Sequence, residues 1–373
     1  MSLAQAKKEG YASRMTACKR LGILTSGGDA PGLNAAIRAL ARTAINRYGM
    51  EIIGIEQGYR GLIENKYRVL TEYELSGLLA RGGTVLGASR EKPFRDRGWR
   101  NADGGGAVDC IKKNYRDLRL DCLAVLGGNG SQTTADMLAQ EGLNIIGIPK
   151  TIDNDIVHND MSFGFHTALD IATDAIDRLH TTAASHNRIM VIEIMGHKAG
   201  WLALYAGIAG GSDVIIIPEL PYRIEVITSH LQERSKKGKA FSIVAVAEGA
   251  VSVAEKDMNK KALKESRKAM AGSIGYRIAG EIEAAAHLET RVTVLGYLQR
   301  GGTPSGYDRI LATRFGAAAA QFAAEGCYGV MAALQQGVIK PVPLCKVADK
   351  IKKVPDNHPM IFAARDVGTC FGN

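Results

Sequence analysis

The 373-residue sequence predicts an α/β protein built as two doubly wound, mostly parallel-sheet lobes. Short, unbroken apolar runs alternate with alanine-rich amphipathic stretches, and glycine-rich turns stand at several junctions. Strands covered on both faces read as continuous apolar runs, and helices between them make parallel connections. The chain is also long enough, at 46% hydrophobic residues, to bury two cores.

The apolar runs fall at residues 21–25, 122–126, 144–148, 188–194, 214–218, 241–247 and 291–295. Helices are expected over 33–45 after Gly27-Gly28, over 132–139 after Gly127-Gly128-Asn129-Gly130, and over 201–208 after Met195-Gly196. The polar residues 1–17 read as a disordered leader, lacking the apolar stretch of a signal peptide. No eighteen-residue apolar run is present, so no membrane span is expected. The mixed-charge run 255–268 reads as a solvated helix or insertion.

The bulk properties exclude several classes. The six cysteines are scattered without a CxxC pair, which suits free thiols in a reducing cytoplasm. A net charge of +9 favours anionic partners, but the basic residues are dispersed and aromatics are only 6%, which argues against nucleic acid. Neither GxGxxG nor GxxxxGK[ST] occurs, so the dinucleotide fingerprint and the P-loop are both missing.

In doubly wound sheets, ligands bind beyond the carboxyl ends of the strands. The residues expected there are 26–29, 127–131, 150–155, 195–198, 248–249 and 299–302. The two glycine turns bring backbone N–H groups and helix N-termini toward an anion; the bland alternative is a tight strand–helix turn. In 150–155, Asp153 and Asp155 alternate, so an extended backbone would point both carboxylates the same way. One could then take a proton from a hydroxyl while the other holds a metal, with Lys150 or Mg²⁺ offsetting their charge. The alternative is a pair of Asx turns. Arg90, Arg188, Arg291 and Arg300 flank strand ends and offer guanidinium forks to phosphates. His186 is read as structural and His197 as a ligand contact.

Together these clusters resemble the phosphofructokinase family. The matching segments are SGGDAPGLNAAIR (26–38), GGTVLGASR (82–90), GGNGS (127–131), PKTIDND (149–155), SHNR (185–188), MGHKAG (195–200), AEG (247–249), ETRVTVLGYLQRGG (289–302) and YDRILATR (307–314). They run in the family's order from about residue 20 to 330, and 341–372 looks like the tail of a subgroup holding ATP-using and pyrophosphate-using members.

The resemblance implies a cytoplasmic glycolytic enzyme that phosphorylates fructose 6-phosphate at its 1-hydroxyl. Asp153 would be the general base, with Lys150 beside it. Gly28, Arg90, Gly128, Asn129, Gly130 and Ser131 would cradle the donor. Thr151, Ile152, Met195, Gly196, His197 and Glu248 would hold the sugar, and Arg300 with Tyr297, Leu298 and Gln299 its 6-phosphate. Arg188 and Arg291 would reach that phosphate from a neighbouring subunit of a homodimer or homotetramer. Mg²⁺ is the implied cofactor, with Asn129 and Asp155 as its ligands. The implied domains are 18–164 plus about 299–345 for the donor, and 165–298 plus about 346–373 for fructose 6-phosphate.

The sequence departs from the family at three positions. Asn129 stands where ATP users carry Asp, His197 where Arg is common, and Tyr297 where His is common. Gly130 leaves room for the α-phosphate of ATP, where pyrophosphate users tend to carry Asp. Lys150 is the residue typical of pyrophosphate users. Steric room decides more firmly than an added cation, so ATP is the expected donor and pyrophosphate the alternative. A catalytically weak regulatory paralogue is the rival of another class. Arg38, Arg42 and, less closely, Lys66 match effector-binding positions of some relatives, whereas His180 replaces an Arg there.

Overall fold

The computed structural model describes residues 18–95, 105–239, 241–258, 262, 265, 272–286 and 288–373. The expected leader and most of the 255–268 run lie outside the described residues. The chain divides into two compact units. The first holds the described residues up to Lys150 with His158–Asp160 and Arg309–Asp349; the second holds Thr151–Val157, Met161–Asp308 and Lys350–Asn373.

The chain thus passes between the units at 150/151, 157/158, 160/161, 308/309 and 349/350, whereas crossings were expected at 164/165, 298/299 and 345/346. Hydrogen bonds explain two of these shifts. Asn154 Oδ1 accepts from Ser162 N (3.1 Å) and Asp155 O accepts from Lys352 N (2.7 Å), which fastens the 151–155 loop to the second unit. Asp308 Oδ2 accepts from Thr167 N (2.7 Å) and Thr167 Oγ1 (2.6 Å), which holds residues up to 308 there as well.

The first unit carries a seven-stranded sheet. Its strands are β1 (Arg20–Thr25), β2 (Glu51–Ile55), β3 (Tyr67–Val69), β4 (Cys122–Gly127), β5 (Ile145–Pro149), β10 (Val330–Gln335) and β11 (Val338–Pro343). The order is β11-β10-β5-β4-β1-β2-β3. The central pairs are parallel, and only the edge strands β3 and β11 run antiparallel. The second unit carries a four-stranded, all-parallel sheet in the order β7-β8-β6-β9, formed by β6 (Ile189–Ile194), β7 (Val214–Ile216), β8 (Ser242–Ala247) and β9 (Thr290–Val294).

The apolar runs found in the sequence all become strands. Four strands were not expected. In β10 the alanine-rich sequence VMAALQ resembles the helical stretches, and β2 is interrupted by Gly54. The edge strands β3 and β11 are short or solvent-facing and lack a continuous apolar run.

The helices that matter for the site are α1 (Leu33–Tyr48), α2 (Gly58–Glu64), α3 (Ala107–Asp117) and α4 (Asn129–Gln140) in the first unit. In the second they are α5 (Phe165–His186), α6 (Trp201–Ala209), α7 (Ile224–Lys236) and α8 (Ile274–Ala286). The 308/309 crossing falls within α9 (Gly306–Ala324). In the second unit, Ile227 and Leu231 of α7 and Ile278 and Ile282 of α8 pack on Val191, Val244 and Val246 of the sheet. The six cysteines are free. Among the described residues, no helix is long and apolar enough to cross a membrane.

Candidate active site

In the first unit, the strand-end loops are bonded to one another. Thr25 Oγ1 at the end of β1 donates to Gly87 O (2.5 Å), and Gly27 N donates to Ser89 O (2.8 Å). The buried Asn34 side chain clamps the same loop, donating to Arg81 O (3.0 Å) and Gly82 O (3.1 Å) and accepting from Val85 N (2.8 Å). Arg90 follows this loop directly and is exposed.

The second glycine turn joins β4 to α4. Gly128 is the N-cap, with an extended backbone, and its carbonyl accepts from Ser131 N (2.9 Å) and Gln132 N (3.0 Å). Asn129 and Gly130 therefore form the first turn of a 12-residue helix, whose N-terminal dipole favours an anion. A Cβ on Gly127 would lie 2.2 Å from Ser131 Cβ, so only glycine fits. A Cβ on Gly130 would meet nothing within 4 Å. The Ser131 hydroxyl donates to Ser26 Oγ (3.0 Å), linking the two turns, and Tyr59 OH donates to Ser131 O (3.0 Å). Burial pushes the Tyr59 hydroxyl far above its ordinary range, so it stays a neutral donor.

Lys150 completes this end. It is buried, its N donates to Gly127 O (3.1 Å), and its Nζ donates to Gly28 O. Gly28, Gly128–Ser131 and Lys150 thus lie together, with Arg90 beside them. A cavity of about 250 Å³ adjoins them in sequence, lined by Arg60, Ile63, Glu64, Glu91, Lys92, Pro93 and Ala107. Sequence reasoning did not find it, since no motif marks those residue types.

In the second unit, Thr151 Oγ1 accepts from Asp153 N (3.0 Å), and Asn154 takes a left-handed backbone with φ 48°. The expected extended run from Asp153 to Asp155 is therefore absent, and the alternation argument does not apply. Asn tolerates this conformation at modest cost, and its side chain is held by Ser162 N.

All four strands of this sheet are parallel, so their carboxyl ends share one edge. Met195, Gly196 and His197 follow β6, Glu248 follows β8, and Tyr297, Leu298, Gln299 and Arg300 form the turn after β9. These loops are bonded together: Met195 N donates to Gln299 Oε1 (3.3 Å), and Gly249 N to Gly196 O (3.2 Å). Gln299 is fully buried, whereas Tyr297 and Leu298 are 72% and 70% exposed. His197 is exposed, and His186 is the exposed last residue of α5.

Arg188 and Arg291 stand elsewhere. They lie at the amino ends of β6 and β9, about 20 Å from the Met195 edge by strand length. Both engage Glu289: Arg188 Nε lies 3.0 Å from its carboxylate, and Arg291 pairs with the same oxygen. The Arg188 hydrogen bond, with help from Arg291, holds the Glu289 carboxyl below its ordinary range.

A phosphofructokinase family profile matches residues 20–323. The chain belongs to the phosphofructokinase family. It is 60% identical to an ATP-dependent 6-phosphofructokinase of Spirochaeta thermophila, over 96% of this chain and 98% of that protein. It is 50% identical to one from Propionibacterium freudenreichii subsp. shermanii, over 95% of this chain and 99% of that protein. Among solved structures, the Pichia pastoris phosphofructokinase in the T-state matches with TM-score 0.75 and 32% identity. That match covers 88% of this chain but only 35% of the longer Pichia chain.

In this phosphofructokinase, two of the four residues compared above with effector-binding positions have partners within the chain. Lys66 Nζ pairs with Glu64 (2.6 Å), and His180 Nε2 is 2.7 Å from Gly210 O. Arg38 and Arg42 lie on α1. Among the described residues, no cluster of three or more His, Cys, Asp or Glu could hold a metal. Mg²⁺, however, needs only one or two protein oxygens when phosphates supply the rest. Of the two expected metal ligands, Asn129 belongs to the first unit and Asp155 to the second.

Proposed function

We propose that this phosphofructokinase transfers the terminal phosphoryl group of ATP to the 1-hydroxyl of D-fructose 6-phosphate, giving fructose 1,6-bisphosphate and ADP in cytoplasmic glycolysis. One observation carries the reading above the others. Lys150 is bonded to both glycine turns, and the peptide bond that follows it opens the Thr151–Asp155 loop.

The first unit receives the donor. The α4 N-terminus and the turn at Gly28 present backbone dipoles to its phosphates, and Lys150 and Arg90 supply fixed positive charge. Mg²⁺ would supply positive charge to offset that developing on the donor phosphates, and Asn129 and Asp155 are the residues that would hold it. ATP is supported by the open space at Gly130 and by the names of the ATP-dependent relatives.

The second unit receives the sugar phosphate. Met195, Gly196, His197 and Glu248 contact the ring with Thr151 and Ile152. Arg300 grips the 6-phosphate, aided by the turn from Tyr297 to Gln299. Asp153 accepts the proton of the 1-hydroxyl as that oxygen bonds to phosphorus, and the bond from phosphorus to the departing ADP oxygen breaks. The separation of Arg188 and Arg291 from Arg300 supports a homodimer or homotetramer in which they serve a neighbouring subunit's 6-phosphate.

A coupled assay tests the acceptor. Fructose 6-phosphate with Mg·ATP should be turned over, while fructose without its 6-phosphate should lose several orders in kcat/KM. Equal use of both sugars would overturn the roles given to Arg300 and its helpers. No turnover of either would favour the regulatory paralogue.

A further inference from the structure

Segment 350–354 has no regular secondary structure, yet three of its backbone polar groups are paired within the second unit. Lys352 N donates to Asp155 O (2.7 Å). Lys352 O accepts from Trp201 Nε1 (2.8 Å), at the first position of α6. Val354 N donates to Glu219 Oε1 (3.0 Å). The same carboxylate accepts from Gly200 N at 3.0 and 3.1 Å, and Gly200 is the N-cap of α6 and the last residue of the loop that begins at Met195.

Each of these ties is hard to replace. A Cβ on Gly200 would come within 2.4 Å of Ile217 Cβ and 2.9 Å of Glu219 Oε2, so the approach of Glu219 requires glycine there. Trp201 is buried, with Lys352 Nζ 5.5 Å above its ring and the His358 ring edge-on at 5.1 Å. Removing the Glu219 carboxylate would leave two backbone N–H groups without their acceptor, and such groups are costly to bury unpaired.

We propose that segment 350–354 is a strap, fastened by Glu219 and Trp201, that fixes the Thr151–Asp155 loop relative to the Met195–Gly200 loop. Glu219 is then a positioning residue for phosphoryl transfer. It touches neither substrate nor base, and acts by keeping the proton-accepting loop in register with the sugar-binding loop. The assignment rests on the reading of Asp153 as base. Errors of about an ångström in such geometry cost up to roughly 100-fold in rate.

Two variants test it. E219A removes the carboxylate, and W201F removes only the indole N–H while keeping an aromatic ring. Both should lower kcat, by about 10-fold and about 3-fold, while leaving the KM for ATP within about 2-fold, because the donor residues belong to the other unit. Amide exchange should become faster in residues 151–157 and 195–200 in both variants. Wild-type kcat together with unchanged exchange in W201F would overturn the strap, and W201F decides alone if E219A does not fold. Should the wild-type chain transfer no phosphoryl group to fructose 6-phosphate, the functional reading fails while the exchange data still decide the strap.

Discussion

The two units build their proposed ends of the reaction from different materials. The first uses backbone: two glycine turns, a helix N-terminus and one buried lysine, stitched by short-range sterics at Gly127 and Ser131. The second uses side chains delivered by separate strands and loops, locked by polar clasps such as Glu219 with Gly200 and Val354, Thr167 with Asp308, and Glu255 with Arg277. A backbone cradle accepts any phosphate chain that fits its space. A side-chain constellation selects one acceptor and is lost piece by piece. Donor identity should therefore turn on steric room, and acceptor chemistry on single side chains.

The largest break is expected in the second unit. Asp153→Ser should lower kcat by about 10³–10⁴-fold, the range of general-base catalysis, while calorimetric binding of fructose 6-phosphate persists. A variant with near-normal turnover would remove Asp153 from its role. Arg300→Lys keeps the charge but loses the fork, and should raise the KM for fructose 6-phosphate by about 10–100-fold with little change in the KM for ATP.

In the first unit, Gly130→Asp separates space from stability. The open surroundings of Gly130 should leave Tm within a few degrees, while the carboxylate raises the KM for ATP by about 10-fold or more through like-charge repulsion. Gly127→Ala should do the opposite. Its Cβ collides with Ser131, so denaturant melts should show a loss of about 1–3 kcal/mol.

An effect of similar size, but pH-dependent, is expected in the second unit. Burial alone would raise the Glu255 carboxyl, but hydrogen bonds from Arg277 and Ser252 outweigh it, and the group lies below the ordinary 4.5. A lowered carboxylate contributes stability that is present above the unfolded pKa and lost as pH falls through the folded one. Glu255→Gln should therefore cost about 1.5–3 kcal/mol at neutral pH in equilibrium melts. The difference from wild type should shrink as the pH drops below 4.5.

The same contrast explains what the sequence disclosed. Glycine turns at Gly27 and Gly127 announce themselves because few residues can replace them. The buried strands announce themselves by continuous apolar runs. The left-handed Asn154 did not, because Asn is common in many conformations and its partner Ser162 is eight residues away. The strap joins Gly200, Glu219 and Val354, which no local pattern connects. The engagement of Arg188 by Glu289 depends on the pairing of β6 with β9, which only the fold supplies.

The most direct measurement sets the two donors side by side. Purified protein is given fructose 6-phosphate with Mg·ATP and, separately, with Mg·pyrophosphate, and kcat/KM is determined for each. Turnover with ATP and little or none with pyrophosphate is the predicted result. Turnover with pyrophosphate alone would contradict it, and would mean that Lys150, rather than the open space at Gly130, sets the donor.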